Sequence, residues 1–447
     1  MKFPKNRRPL YTLFSAIFVI LGSIIAIRFA QGYRLSIQKR AVQGTGLLVS
    51  NSFPNGAQVF VSGKLVTATD DNIYLEPGQY EIEIIKDGYS SWRKQLNIES
   101  ELVTQTNAQL FRLVPGLTPL TFTGVTYISP SPDREKILFQ TSAASASLKN
   151  GLYVLEMSNS LLSSLREPRQ IVEASPEFDM SKASFIWSPD SSEVILSTPA
   201  REVLLDLSKK NILSNLPDIS FRKKEILSTW ENEMYLRERQ YFSKFPAEVL
   251  QVATTAATNL YLSPDKKKLL YVATASATIP ENISPSLSSS NSQPEERTIV
   301  AGKAYVYDRE EDKNFAIDYA TSSATPSSKV FLANDLDVRT PRTLTASPSS
   351  FQRLQASTSA QTAANFSRYY SPLYSFGLQW LPDSKHLLFN DLSHVYVVEY
   401  DNTNKTTLYT GPFSSNFLYP WPDGSKILIL TSFSPTDMPN LYGVEIK

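Results

Sequence analysis

The sequence contains no cysteine and only two histidines among its 447 residues. The absence of cysteine excludes disulfide bonds, thiolate chemistry and cysteine-ligated zinc, and two histidines leave little for metal binding. A charge excess is also lacking, because 44 Lys and Arg residues oppose 43 Asp and Glu residues. No global field would recruit nucleic acid or an acidic substrate. We therefore expect no cofactor, no metal and no nucleic-acid partner.

Among the residues that are present, the aromatic and β-branched ones give the main signal for secondary structure. The 22 Tyr and 23 Phe residues are interleaved with Val, Ile, Leu and Thr, which favours strands, although 16 glycines are few for a turn-rich β protein. The length predicts two or three domains. We expect an all-β fold in the bulk of the chain.

The amino-terminal segment predicts one transmembrane helix. Leu10–Ile27 carries no charge, and as a helix it would span about 27 Å, enough for a bilayer core. A cleaved signal peptide is the alternative, but it requires a shorter apolar stretch and a small-x-small site. Ile27-Arg28-Phe29-Ala30 does not provide such a site. We predict a cytoplasmic N-terminus at 1–9 and an uncleaved signal anchor at 10–30.

The number of flanking basic residues hardly distinguishes the two possible orientations of this helix, because four lie on each side. The free α-amino group favours a cytoplasmic N-terminus. The flanking basic residues are Lys2, Lys5, Arg7 and Arg8 before the helix, and Arg28, Arg34, Lys39 and Arg40 after it.

After a predicted linker at 31–45, turn and strand signals alternate in residues 46–114. Pro54-Asn55-Gly56-Ala57 and Pro77-Gly78 place Pro and Gly where tight turns need them. Five or six short strands in about 70 residues predict a small β-sandwich. The expected strands include Gly46–Ser50, Gln58–Ser62, Tyr80–Ile85, Trp92–Ile98 and Ala108–Leu113.

This segment resembles the PEGA domain. The matching residues are Gly46–Ser50, Pro54–Val59, Leu75–Tyr80 and Lys86–Tyr89, with Trp92 and Lys94 following at the family's spacing. One departure is that the family's Pro-Glu-Gly-Ala is Pro-Asn-Gly-Ala here. The resemblance implies an extracytoplasmic β module without catalytic residues, and it supports a cytoplasmic N-terminus with everything after Ala30 outside.

A degenerate repeat occupies residues 117–447. In each copy a Pro-Asp turn precedes an apolar strand, and several copies continue into a second strand, which predicts a radial array of hairpins. The turn aspartates are Asp133, Asp190, Asp265, Asp383 and Asp423. The repeat resembles the Pro-Asp repeat of TolB-like β-propellers and of the propellers in prolyl-oligopeptidase relatives.

The spacing of these aspartates is 57, 75, 118 and 40 residues, and a propeller blade takes about 40–45. The gap of 75 predicts a hidden blade in which 225–230 and 233–238 pair as strands. The gap of 118 contains two stretches rich in Ser, Thr, Ala and Pro, at 275–300 and 321–366, which we expect to be disordered inserts. About six blades result, and Leu117–Thr123 is expected to supply the strand that closes the ring.

Candidate chemistry is sparse. We expect the repeated aspartates to cap their own turns, since one catalytic pair would not need five copies. His386 and His394, with Asp391, could form a metal site or a base, but no third ligand is apparent. The sequence contains no nucleophile elbow, no metalloprotease helix and no phosphate loop. We predict no catalytic, cofactor-binding or metal residues.

Two kinds of surface cluster suggest binding. The basic runs Arg222–Lys224 and Lys266–Lys268 could contact anions, but solvated strand edges are the expected role. The aromatic residues Tyr369, Tyr370, Tyr374, Phe376 and Trp380 could stack on sugars, but packing between blades is the usual role.

These observations predict a bacterial cell-membrane protein with a single span and most of the chain extracytoplasmic. We expect it to bind or scaffold, with the propeller contacting an envelope protein or a cell-surface glycan, and not to be an enzyme. A propeller-funnel enzyme of the lyase or glycosidase type, or a sensor that needs a partner protein, are the alternatives.

Overall fold

The computed structural model describes residues 8–30, 33–36, 41–144, 146, 149–157, 167–175, 180–285, 291–319, 377–434 and 437–447. The chain divides into two compact units. The first comprises Met1–Leu110 with Leu287–Gln293, and the second comprises Phe111–Ser286 with Pro294–Lys447.

The first unit begins with the helix α1 (Arg8–Ala30). Its segment Tyr11–Arg28 has a mean hydropathy of 1.9, none of it is buried, and it is long and apolar enough to cross a membrane. The sequence therefore predicted this helix correctly. Within the predicted linker, β1 (Tyr33–Ser36) and β2 (Ala41–Gly44) pair as an antiparallel hairpin.

Nine short strands follow. Their sheets are β6-β5-β8-β9, β10-β3-β7 and the pair β11-β4. The strands are β3 (Gly46–Ser50), β4 (Ser52–Phe53), β5 (Gln58–Val61), β6 (Lys64–Ala68), β7 (Asp71–Leu75), β8 (Gly78–Ile85), β9 (Trp92–Ile98), β10 (Val103–Gln105) and β11 (Ala108–Gln109).

One apolar core joins the two larger sheets, as the predicted sandwich requires. Along β9, Trp92, Leu96 and Ile98 are buried while the residues between them are more exposed, which is the period of two of a strand with one covered face. Leu48 of β3 packs into the same core as Ile82 of β8. The two sheets therefore pack as the small β-sandwich that the sequence predicted.

In its described residues the second unit contains five sheets of the propeller type, which we call blades 1 to 5. Blade 1 is β13-β14-β15-β16, blade 2 is β17-β18-β19, blade 3 is β20-β21-β24-β25, blade 4 is β26-β27-β28-β29 and blade 5 is β30-β31-β32 with β12 at its outer edge. A separate pair, β22-β23, lies between the strands of blade 3 in sequence.

The strands of this unit are β12 (Leu117–Pro119), β13 (Tyr127–Pro130), β14 (Lys136–Thr141), β15 (Gly151–Glu156), β16 (Arg169–Glu173), β17 (Ser184–Trp187), β18 (Glu193–Ser197), β19 (Glu202–Asp206), β20 (Ala257–Leu262), β21 (Lys268–Ala273), β22 (Ala277–Thr278), β23 (Thr298–Ile299), β24 (Ala304–Asp308), β25 (Lys313–Ile317), β26 (Leu378–Trp380), β27 (His386–Asn390), β28 (His394–Glu399), β29 (Thr406–Thr410), β30 (Leu418–Pro420), β31 (Lys426–Thr431) and β32 (Asn440–Glu445).

Neighbouring blades share apolar clusters, except for blades 2 and 3, which each pack against helices instead. The second strand of each blade is therefore covered on both faces. Blades 1 and 2 meet at Leu138 and Trp187, and blades 3 and 4 meet at Leu270 and Trp380. Blades 4 and 5 share another cluster, and blade 5 packs on blade 1 through Tyr419. The packing of the last blade on the first makes the array a ring, which is the propeller that the repeat predicted.

The hidden blade is a wrong prediction. Residues 225–230 and 233–238 lie within one helix, α2 (Lys223–Phe242), which a second helix, α3 (Ala247–Thr255), follows. Leu227, Trp230 and Met234 recur at helical spacing and pack against Ile195 of blade 2. The helix α3 packs on blade 3 instead. A helical pair therefore occupies the position between blades 2 and 3, where the sixth blade was expected.

The predicted closure of the ring is correct. Leu117–Pro119 pairs antiparallel with β32, placing Leu117 opposite Val444 and Pro119 opposite Tyr442. The first strand of the unit thus becomes the fourth strand of its last blade. This arrangement covers an edge that would otherwise expose unpaired backbone groups.

The predicted insert at 275–300 is ordered at both ends. β22 and β23 pair within it, and Ile279 and Ile299 are buried in the core of blade 3. Arg297 donates to the backbone oxygen of Asp312, which fixes the segment to the β24-β25 turn. The insert predicted at 321–366 lies outside the described residues.

Candidate functional site

The Pro-Asp turns join the first and second strands of every blade. In all five turns the residue after Asp adopts a left-handed conformation, with φ between 59° and 67°. Only one of these residues is the glycine that this backbone favours. The five residues are Arg134, Ser191, Lys266, Ser384 and Gly424.

Each turn aspartate caps its own turn, as predicted. Its Oδ1 atom accepts a hydrogen bond from the backbone N–H two residues later, at 2.7 to 3.1 Å. The carboxylates therefore satisfy turn amides. The donors are Glu135, Ser192, Lys267, Lys385 and Ser425.

Neighbouring turns also contact one another. The backbone N–H of Asp133 donates to Ser191 Oγ at 3.1 Å, and that of Asp265 donates to Ser384 Oγ at 3.0 Å. The serine at the left-handed position of one blade thus holds the turn of the preceding blade. This end of the propeller, which we call the turn end, is built from adjoining Pro-Asp turns.

Arg134 reaches away from its own blade at the turn end. Its Nη2 atom donates to Tyr261 Oη of blade 3 at 2.8 Å, and its guanidinium carbon lies 5.4 Å from the centre of the same ring. Arg134 forms no ion pair with any residue that the structure describes. It is therefore a partly buried cation with most of its N–H groups uncommitted.

Lys266 is the second cation of this region. It is half-buried, and burial, followed by the positive charge of Arg134, lowers its pKa, while Glu238 and Asp265 act in the opposite direction. Its Nζ atom lies 5.4 Å from the centre of the Tyr241 ring. Among the described residues Lys266 makes no ion pair and no side-chain hydrogen bond.

Tyr419 supplies a neutral donor near Arg134. It stands four residues before Asp423, as Tyr261 stands four before Asp265. Its side chain is 1% exposed, and its hydroxyl has no hydrogen-bond partner among the described residues. Burial raises the pKa of Tyr419, while Arg134 lowers it, so the phenol keeps its proton near neutral pH.

Glu238 on α2 faces Lys266. Burial raises the pKa of Glu238 to about 7, although the charge of Lys266 opposes the shift. We call Arg134, Glu238, Tyr261, Lys266 and Tyr419 the turn-end cluster. Because Glu238, which faces Lys266, is only partly ionised at neutral pH, the cluster can attract an anion.

The two histidines are not brought together. His386 begins β27 and lies opposite Glu399, whereas His394 begins β28 and lies opposite Thr410, so they occupy opposite ends of one hairpin. The buried ring of His386 contacts Asp383 Oδ2 at 2.6 Å. Burial of Asp383 opposes its ionisation, but the attraction of His386 and several hydrogen bonds lower its pKa to about 2.

Both basic runs differ from the solvated strand edges that were expected. Lys223 begins α2 and pairs with Glu202 of blade 2. Lys268 is 8% exposed and forms a buried ion pair with Asp308 at 3.2 Å. Lys267 comes nearest to the expectation, because it is partly exposed just before β21 and pairs with Glu310.

The aromatic cluster is mostly outside the described residues. Tyr369, Tyr370, Tyr374 and Phe376 belong to the part of the chain that the structure does not describe. Trp380 is fully buried and donates from Nε1 to the backbone oxygen of Tyr261 at 3.4 Å. It therefore packs between blades 3 and 4 rather than offering a stacking surface.

Three solved β-propeller or lyase structures are similar to this chain at low identity. TolB from Acinetobacter baumannii is 10% identical over 82% of this chain and 59% of its own, with a TM-score of 0.20. Oligogalacturonate lyase from Vibrio parahaemolyticus is 10% identical over 82% and 86%, with a TM-score of 0.25. The Swd1 β-propeller domain from Myceliophteria thermophila is 8% identical over 74% and 100%, with a TM-score of 0.30.

All three TM-scores are below 0.5, so the fold rests on the strand pairing and the shared apolar clusters. No curated protein matches this chain by sequence. Residues 45–113 match the PEGA domain family, which covers nearly the whole segment where the turn residues predicted it. The chain thus contains a PEGA domain followed in sequence by a β-propeller.

Proposed function

We propose that this protein is a membrane-anchored, extracytoplasmic binding protein of the bacterial envelope. The apolar helix α1 anchors it, and the PEGA domain leads outward from the membrane. The propeller presents its turn end to an envelope protein or a cell-surface glycan.

The turn-end cluster is the observation that carries this proposal. Two cations, Arg134 and Lys266, stand at one end of the ring without an ion-pair partner among the described residues. The turn aspartates beside them are engaged in capping hydrogen bonds. Partly buried charges without an internal partner are costly unless something outside the chain complements them.

Membrane topology can be tested with single cysteines, because the chain has none of its own. Asn6→Cys lies before α1, and Lys64→Cys lies on an exposed position of β6. In intact cells a membrane-impermeant maleimide should label Lys64→Cys, whereas Asn6→Cys should react only after lysis. The opposite pattern would place the PEGA domain and the propeller in the cytoplasm.

Binding at the turn end can be tested by photocrosslinking in native envelopes. A benzophenone side chain at Glu135, an exposed turn residue, should crosslink to an envelope component. The matched control is Leu392, which is 70% exposed and lies in the β27-β28 connection at the other end of blade 4. Equal crosslinking from both positions, or none from either, would contradict the proposal.

An enzyme of the lyase type is the second candidate, favoured by the lowered pKa of Lys266. An amine poised nearer neutrality could remove a proton α to a carboxylate that Arg134 neutralises. The electron pair would form the C=C bond as the β C–O bond breaks, and the departing oxygen would take a proton from water. The full-length protein would be incubated with uronate-containing polysaccharides while unsaturated products are followed by absorbance. Product that disappears in Lys266→Gln would support the lyase, whereas binding without product supports the binding protein.

A further inference from the structure

We propose that Arg134, Lys266 and Tyr419 form a binding site for one carboxylate group of the ligand at the turn end of the propeller. This inference rests on the proposed binding function and adds the chemistry that the site recognises. The three residues come from blades 1, 3 and 5, so the site exists only when the ring is assembled.

The donors of the site match the acceptors of a carboxylate. Arg134 uses one N–H on Tyr261 and keeps four others, and Lys266 has three N–H groups without a side-chain hydrogen bond among the described residues. The hydroxyl of Tyr419 adds one more donor. A carboxylate presents about four lone-pair positions, and hydrogen bonds from charged donors are the stronger ones.

The unsatisfied hydroxyl of Tyr419 is the independent sign of a ligand. A buried hydroxyl without a partner is costly, and native proteins rarely retain one without a reason. Tyr419 is close enough to Arg134 for the guanidinium charge to act on its titration. A group that bridges Arg134 and Tyr419 would satisfy both.

The acidic residues nearby do not fill this role from within the chain. Asp133 caps its turn and pairs with Lys136 at 3.0 Å. Asp265 caps its turn through Lys267 N–H, and neither aspartate forms an ion pair with Arg134 or Lys266 in the described part of the chain. Glu238 is only half ionised near neutral pH. These negative charges offset part of the cationic field, which suits a monoanion better than a doubly charged phosphate.

Glu238 also makes the site sensitive to pH. The charged groups around it are Lys266 in the blade 3 turn and, next to Lys266, Arg134 and Asp265. Ionisation of Glu238 directs a negative charge at Lys266 and repels an incoming carboxylate. The affinity of the site should therefore fall as the pH rises from 6 to 8, and this fall should be smaller in Glu238→Gln.

The test is a titration of the detergent-solubilised full chain with small probes, followed by calorimetry or ligand-observed NMR. N-acetylglycylglycine carries a peptide carboxylate, its C-terminal amide is the neutral control, and glucuronate carries a sugar carboxylate. We expect the acid to bind and the amide not to bind. Arg134→Gln and Lys266→Gln should each weaken binding about tenfold or more, since a hydrogen bond to a charged group is worth about 1.5–3 kcal/mol.

Lys267→Gln is the matched control for Lys266→Gln, because Lys267 is the adjacent residue and pairs with Glu310 instead. An equal loss in Lys267→Gln would overturn the site, since general surface charge would then explain binding. Tighter binding of inorganic phosphate than of either carboxylate would also overturn it. If Arg134→Gln fails to fold, Lys266→Gln and Tyr419→Phe decide the question.

The relative affinities of N-acetylglycylglycine and glucuronate identify a peptide or a sugar as the source of the carboxylate, and binding of either supports the site. Binding of none of the probes overturns it. In that case crosslinking from position 135 but not from 392 would leave the binding function intact. The two proposals can therefore fail separately.

Discussion

Arg134 in the turn of blade 1 donates a hydrogen bond to Tyr261 on the first strand of blade 3, with 2.8 Å between Nη2 and Oη. Blade 2 and the helical pair lie between these residues in the chain, so the bond joins two blades that are not consecutive. Arg134 also holds the left-handed position of its turn, with φ of 67°. One residue thus shapes a turn and connects separate parts of the ring.

Tyr261→Phe should lower the free energy of unfolding by about 1–2 kcal/mol, because Arg134 loses its side-chain hydrogen bond while remaining partly buried. Urea denaturation of the full chain measures this difference. Tyr442→Phe is the matched control, since the Tyr442 hydroxyl makes no hydrogen bond among the described residues. Equal effects of the two substitutions would show that the Arg134–Tyr261 bond contributes nothing.

Tyr419→Phe should have the opposite effect on stability. Removing a buried hydroxyl that has no partner leaves the ring in place and should raise the free energy of unfolding by about 1 kcal/mol. The same substitution should weaken carboxylate binding several-fold. A variant that becomes both less stable and unchanged in binding would show that the hydroxyl has a structural partner instead.

Much of the fold could be predicted because it depends on local turn chemistry. Pro54–Ala57 and Pro77-Gly78 located the PEGA domain, and the Pro-Asp turns located the blades. The expectation that Leu117–Thr123 would close the ring is also correct, because β12 pairs with the last strand of blade 5 and covers its edge. These inferences need only short-range sequence patterns.

The helical pair and the turn-end cluster could not be predicted by the same means. Spacing between aspartates cannot distinguish a blade from a helical pair of similar length, although the positions of Leu227, Trp230 and Met234 carried the helical period. In the sequence, nothing but their place after a turn aspartate distinguishes Arg134 and Lys266 from other basic residues. They come close together only when the ring is assembled. Whether a charge is buried also depends on the tertiary structure, which a local motif does not indicate.

Ring closure depends on Thr121, just beyond β12. Its Oγ1 accepts from Leu441 N–H at 2.8 Å and donates to Asn440 Oδ1 at 3.1 Å, and the residue is 4% exposed. Thr121→Val keeps the shape but removes both bonds, so it should lower the free energy of unfolding by about 2–3 kcal/mol. The control is Thr118→Val, an exposed position of β12, which should change stability by less than about 0.5 kcal/mol. If the two variants have similar free energies of unfolding, the hydrogen bonds of Thr121 do not hold the ring closed.

Glu238 should make the stability of the propeller depend on pH. Burial raises its pKa in the folded protein to about 7, above its ordinary value of 4.5, so the folded state holds the proton more tightly than the unfolded chain. Its contribution is complete below pH 4.5 and is lost as the pH rises toward 7.

Relative to Glu238→Gln, the unmodified protein should therefore lose roughly 1–3 kcal/mol of unfolding free energy between pH 5 and pH 8, since each unit of pKa shift corresponds to about 1.4 kcal/mol and the site is partly hydrated. Denaturant titrations at several pH values measure the difference. Glu233→Gln is the control on the same helix, because Glu233 is exposed and pairs with Arg237 at 2.7 Å; its pH dependence should follow that of the unmodified protein. Parallel curves for Glu238→Gln and the unmodified protein would mean that Glu238 is hydrated and ionised like a surface carboxylate. The expected fall in carboxylate affinity between pH 6 and pH 8 would then disappear as well.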